Sequence, residues 1–118
     1  MTGAGRFFGH RGIVPMDKKT AIDRVRQYAS VVTQNFPVKK VILYGSHATG
    51  KARGNSDIDV AVVVRRIEGD LLLSEKKLFR LRRDIEPMIE PVLLEEDNDP
   101  SGFLAEILKT GEVIYSVD

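Results

Sequence analysis

The chain is 118 residues long, 42% hydrophobic and 30% charged, which fits one soluble globular domain and is too apolar for a disordered chain. Eighteen Lys and Arg against seventeen Asp and Glu leave a formal charge of +1, so global charge points to neither a nucleic-acid nor a membrane partner. The lack of cysteine excludes disulfides, Cys-based zinc sites and thiol catalysis and suits a cytoplasmic setting, and no apolar run reaches the ~20 residues needed to span a bilayer.

Residues 1–15, MTGAGRFFGHRGIVP, hold four of the ten glycines and no sustained apolar stretch, so they read as a poorly packed N-terminal extension and not as a signal peptide. Residues 16–118 then form the domain, with Met16 a plausible alternative start. From Asp17, apolar positions Ile22, Val25, Ala29, Val32 and Phe36 recur at spacings of three and four, predicting an amphipathic helix capped by Asp17 and ended by Pro37. The run Val41–Tyr44 predicts a buried strand that stops at Gly45. Residues 45–56, GSHATGKARGNS, predict a loop with one helical turn, and the β-branched run 57–65 a second strand.

Leu71, Leu78, Leu81 and Ile85 predict a second helix over 71–86, whose other face carries Lys76, Lys77, Arg80 and Arg83. Ile89–Leu94 reads as a third strand, which Pro91 assigns to a sheet edge or a bulge. Asp99 and Pro100 look like N-cap and N1 of a last helix closed by Gly111 at C′, and Val113–Val117 supplies a final strand. The order α-β-loop-β-α-β-α-β implies an α/β (α+β) domain, two layers around one mixed sheet.

Charge divides along this order. Residues 1–83 carry seventeen basic and seven acidic side chains, whereas residues 84–118 carry one basic and ten acidic. Folding either mixes the two into an ordinary surface or sets a basic rim around an acidic metal site, as a triphosphate-handling protein would need.

The chemistry concentrates in Gly45-Ser46, ten intervening residues, and Asp57-Ile58-Asp59. Side chains alternate along a strand, so Asp57 and Asp59 project to one face, about 7 Å apart along the backbone. Two carboxylates opening a core strand repel one another and lose hydration unless a cation bridges them, and oxygen ligands of this kind favour Mg²⁺ or Mn²⁺. At a solvent-exposed strand end they need no metal. Gly45 allows backbone N–H groups to approach an anion closely, and Ser46, at the start of a helical turn, can donate to the same phosphate. Taken alone, the pair is an ordinary turn and cap. Taken with the aspartates, it grips phosphates on one side and offers metal-binding carboxylates on the other, the layout of metal-assisted phosphoryl or nucleotidyl transfer.

The segment YGSHATGKARGNSDIDVAVV resembles the signature of the nucleotidyltransferase superfamily that includes DNA polymerase β and the kanamycin nucleotidyltransferases. The later segments IEPVLL and SGFLAEILKTGEVIY are similar to those of the minimal nucleotidyltransferases, MntA-like proteins encoded beside HEPN-domain toxins. The likeness runs from about Asp17 to Ser116 and implies a minimal nucleotidyltransferase fold with about four strands in a mixed sheet. It also implies that Gly45 and Ser46 hold a nucleoside triphosphate while Asp57 and Asp59 bind two divalent ions. A third carboxylate comes from a later strand in such proteins. Glu90 is the candidate, since it shares a strand face with Val92 and Leu94 while Glu86 lies at a helix end and Glu95, Glu96 and Asp97 fall in a loop. Many relatives carry Asp there, and an acid on an edge strand can equally be surface. Lys51 and Arg53 stand near enough in sequence to reach phosphates, or else serve as solvated loop cations; Arg53 is the candidate nucleotide contact. His47 fills a turn.

The resemblance implies a Mg²⁺-dependent enzyme that moves AMP from ATP to a tyrosine hydroxyl of a cognate HEPN ribonuclease toxin and so acts as its antitoxin. An alternative is an antitoxin that blocks the toxin by contact alone, with a vestigial site. A third is a transferase acting on a small hydroxylated molecule such as an aminoglycoside. Nucleic acid is not the expected acceptor, although the basic helix face could touch a partner or RNA.

Overall fold

The computed structural model describes residues 16–117, so the expected extension 1–15 lies outside the described residues. In chain order the elements are α1 (Lys18–Val32), β1 (Val38–Tyr44), α2 (Ser46–Thr49), β2 (Ile58–Val64), α3 (Leu71–Leu81), β3 (Ile89–Glu95), α4 (Phe103–Thr110) and β4 (Glu112–Ser116). The four strands make one mixed sheet in the order β3-β2-β1-β4, with β1 antiparallel to both neighbours and β2 parallel to β3. This is the mixed α/β architecture that the element order implies. Among the described residues no helix is long and apolar enough to cross a membrane.

Strand alternation sorts the side chains between two cores. Val41 and Leu43 of β1, Ile58, Val60 and Val62 of β2, and Ile89 and Leu93 of β3 pack against α1 and α3. The intervening residues Ile42, Ala61 and Val63 meet Leu104 and Ile107 of α4, with Tyr44, Val92 and Leu94 at the margin of that smaller cluster. Because α4 has only eight residues, it covers only part of its face of the sheet.

Local chemistry sets the helix ends. Asp17 caps α1 as expected, its Oδ1 accepting from the Thr20 N–H at 2.8 Å. Helix α3 stops at Leu81 rather than Glu86, because the chain tightens there, the N–H groups of Arg82, Arg83 and Ile85 donating three residues back, and Pro87 bars a return to helix at Glu86. Helix α4 begins at Phe103, three residues later than Pro100 predicts, with Gly102 in the N-cap position. Asp99 still caps it from a distance: its carboxylate accepts the N–H groups of Leu104 and Ala105 at 2.9 and 3.0 Å.

Gly111 does close α4, but its backbone is extended (φ −90°, ψ 178°), so the residue is required for space and not for a left-handed turn. A Cβ there would lie 2.7 Å from Ile107 O and 2.8 Å from Leu43 O. Gly111→Ala is therefore expected to cost about 1–3 kcal/mol, read as a lower urea midpoint with an unchanged m value.

Tyr28 is fully buried, and its hydroxyl donates to Leu78 O at 2.7 Å, tying α1 to α3. Burial pushes the phenol well above its ordinary pKa. Tyr28→Phe leaves the fold but strips that buried carbonyl of a donor, at an expected cost of about 1 kcal/mol in denaturant unfolding.

Candidate active site

Strand register builds the site. Tyr44 on β1 pairs with Asp59 on β2, and Asp59 pairs with Glu90 on β3, so the three side chains stand in one row across the sheet. The row lies on the face that α4 covers only partly, at the end where β2 and β3 begin. Asp59 is half-buried there, while Asp57, just before β2, and Glu90 are exposed. Burial first, then the negative charges of Asp57 and Glu90, raise the Asp59 carboxyl above the ordinary carboxylate range, and the neighbouring His47 ring opposes the shift. Burial first, then the charges of Asp59 and Glu90, raise the Tyr44 phenol above its ordinary range.

Glu90 lies on an edge strand, as Pro91 predicts. The Ile58 N–H donates to Met88 O, and alternation along a parallel ladder turns positions 90 and 92 toward β2 and position 91 away. Proline, lacking an N–H, costs the ladder nothing at that position. The other acids near β3 have separate duties. Glu86 pairs with Arg24 at 3.5 Å and accepts the Met88 N–H at 3.1 Å. Glu95 ends β3 at the far side of the sheet, where it accepts from Ile67 N–H at 2.8 Å and Asn98 at 3.2 Å. It belongs to the strand and not to the solvated loop expected of it.

Gly45 links β1 to the helical turn α2 in a conformation (φ +73°, ψ −151°) that L side chains rarely adopt. An added Cβ would overlap the Asp59 carboxylate and lie 3.2 Å from its Cγ. The missing side chain thus leaves room for the acid, a role hidden from sequence because the contact joins residues fourteen positions apart. Ser46 opens α2, where the first backbone N–H groups have no partner within the helix.

His47 is only 2% exposed. Its Nε2 lies 3.3 Å from Ser56 O, so this ring nitrogen carries the proton, and Nδ1 is left buried without a partner among the described residues. Ser56 in turn holds Arg53, its Oγ accepting the Arg53 N–H at 2.8 Å and its N–H donating to Arg53 O at 3.0 Å. The turn-filling residue expected at His47 is therefore the brace between the Gly45-Ser46 turn and the segment leading into Asp57. The Arg53 side chain is exposed at the loop surface.

The donors fit a hard divalent cation in type, since the crowding that raises Asp59 is what such an ion relieves. Among the described residues, however, no three acidic or histidine side chains converge tightly enough to form a complete ligand set.

Residues 26–118 match the family described as "Polymerase beta, Nucleotidyltransferase". The fold is similar to the crystal structure of a candidate nucleotidyltransferase from Sulfolobus solfataricus, with a TM-score of 0.63 and 21% identity over 97% of this chain and 93% of that one. No curated protein matches the chain.

Proposed function

The chain belongs to the polymerase beta nucleotidyltransferase family, and from that membership we propose that it carries AMP from ATP to a protein hydroxyl, a tyrosine of a HEPN ribonuclease toxin, and thereby acts as the antitoxin. The observation that carries this reading is the Asp59–Glu90 pair, in register on adjacent strands and set against the side-chain-free Gly45. Gly45 and Ser46 hold the triphosphate through backbone N–H groups and the serine hydroxyl, with Arg53 reaching in from the loop. Asp57, Asp59 and Glu90 are the residues that would hold Mg²⁺ or Mn²⁺, with phosphate oxygens completing the ligand set, and the ion would supply charge neutralisation on the phosphates and a lowered pKa at the acceptor hydroxyl.

The acceptor oxygen attacks the α-phosphorus in line, its proton passes to Glu90, and the bond to pyrophosphate breaks. The protein's own share is orientation of the two reactants. Asp59 is the centre of the arrangement, since it adjoins Gly45, Tyr44 and Glu90 together.

Incubating the protein with ATP, Mg²⁺ and the toxin is expected to add AMP mass to the toxin, read by intact mass spectrometry. Absence of the adduct with folded components removes the enzymatic reading. Toxin neutralisation by a folded Asp57→Asn/Asp59→Asn variant would instead favour inhibition by contact.

A further inference from the structure

Helix α3 exposes more apolar surface than an ordinary amphipathic helix. Leu72 is 60% exposed, Leu73 64% and Phe79 37%, although Leu78 on the opposite side is fully packed against the core. Beside them runs an open groove of about 550 Å³ lined by Leu72, Lys76, Phe79, Arg80, Arg83 and Pro87. Among the described residues Glu75 is the only acid on its wall. The Arg82 guanidinium, 5.2 Å from the Phe79 ring centroid, also donates to Pro87 O and stiffens the floor. Lys76, Arg80 and Arg83 make no ion pair with any described residue.

An apolar ridge framed by unpaired cations specifies its complement. We propose that this groove is the docking surface for an acceptor protein that presents an amphipathic helix with apolar anchors flanked by Asp and Glu. The anchors fill the space between Leu72, Phe79 and Pro87, and the acids meet Lys76, Arg80 and Arg83. Nucleic acid satisfies the cations but gains nothing from exposed leucines, and the aromatic ring of the groove, Phe79, already has Arg82 over it. A second copy of this chain fits poorly as well: α4, with exposed Phe103 and Leu108, has eight residues and carries Lys109 beside Glu106.

Position links the groove to the site. Pro87 lines the groove and Glu90 stands three residues further on, at most about 10 Å along the chain. Both lie at the β3 edge, Glu90 on the other face of the sheet. A protein seated on α3 therefore reaches the carboxylate row around a single strand. The inference rests on the transferase reading only for naming the docked protein as acceptor.

The test uses the full chain without nucleotide. A fluorescein-labelled helical peptide of about 20 residues (~30 Å) is titrated, with leucines at helical spacing and flanking glutamates. Two control peptides replace Glu by Lys or Leu by Ser, and a single-stranded RNA is the third probe. Anisotropy is expected to show saturable binding of the Leu/Glu peptide alone, weakened about tenfold by Leu72→Ser and by Arg80→Glu. Both positions are exposed, so the variants are expected to keep the wild-type melting temperature. Failure of the Leu/Glu peptide to bind overturns the proposal. So does tighter binding of RNA that Arg80→Glu abolishes, or a dimer in sedimentation that Leu72→Ser dissolves. ATP uptake by calorimetry is measured separately: its loss in the wild-type protein sinks the transferase reading, while the anisotropy result alone decides the docking surface.

Discussion

Replacing Asp59 by Asn is expected to lower AMP transfer by about 10²–10³-fold or more and, at the same time, to raise the melting temperature of the metal-free protein. The two effects share one cause. Burial and the nearby charges of Asp57 and Glu90 raise the Asp59 carboxyl above its ordinary value of 3.8, so its charged form is disfavoured in the fold. A group whose pKa is raised by folding contributes its stabilisation below the unfolded value and loses it as pH rises through the folded one. Wild-type stability therefore falls, relative to that of Asp59→Asn, as pH climbs from about 3.8 through the raised value, and stays lower at neutrality. On the proposed reading Mg²⁺ is expected to reverse the order, because a ligand stabilises the protein that binds it and the variant would bind it less. Thermal melts of both proteins across pH, with EDTA and then with Mg²⁺, check the signs. A variant that melts earlier than wild type in EDTA, or that transfers AMP normally, contradicts the account.

Gly45→Ala is expected to damage both properties together. Holding a residue with a Cβ at φ +73°, ψ −151° stores strain of order 1–3 kcal/mol. The new methyl also occupies the position of the Asp59 carboxylate, and displacing a reacting group by an ångström can cost about 10²-fold in rate. Gly50→Ala separates the two contributions. Gly50 also has positive φ, +79°, but its added Cβ meets nothing within 4 Å. That variant is expected to lose roughly 1 kcal/mol of stability and to keep its transfer rate. Urea midpoints beside kcat/KM for the two alanine variants give the comparison. Equal loss of activity in both would show that backbone strain, and not the carboxylate's place, governs the site.

The α3 groove and the carboxylate row differed in how readily they could be read beforehand. Periodicity located α3 and the exposed Lys76 and Arg80 on its outer face, whereas Lys77 is half-buried over the Phe36 ring and Arg83 lies beyond the helix end. The same stripe placed Leu71 on the inward face, yet its side chain is exposed, as are those of Leu72 and Leu73. Three consecutive leucines cannot all face inward on a helix, because successive residues turn by about 100°. Tyr28 carries no local sign of its burial, because Leu78 O, which accepts its hydroxyl, lies fifty residues away.

Local rules wrote a good deal of this molecule in one dimension. A β-branched run marked β2, the i,i+3/i+4 stripe marked α1, Pro37 bounded that helix, Pro91 marked an edge, and the spacing of Gly45-Ser46 from Asp57 and Asp59 singled out the candidate segment. Such signals act within a few residues and survive without the rest of the chain. Tertiary structure alone decided that β3 lies parallel to β2 with Glu90 opposite Asp59, that Asp59 fills the space Gly45 leaves, and that Gly111 must be small to pass Leu43 O. Pairing register is a contest among distant contacts, and a slip of one residue would carry every side chain of the strand to the other face. Burial of Ile89 and Leu93 against α1 and α3 wins that contest, and Glu90 is carried to the row with Asp59 and Tyr44 as its consequence.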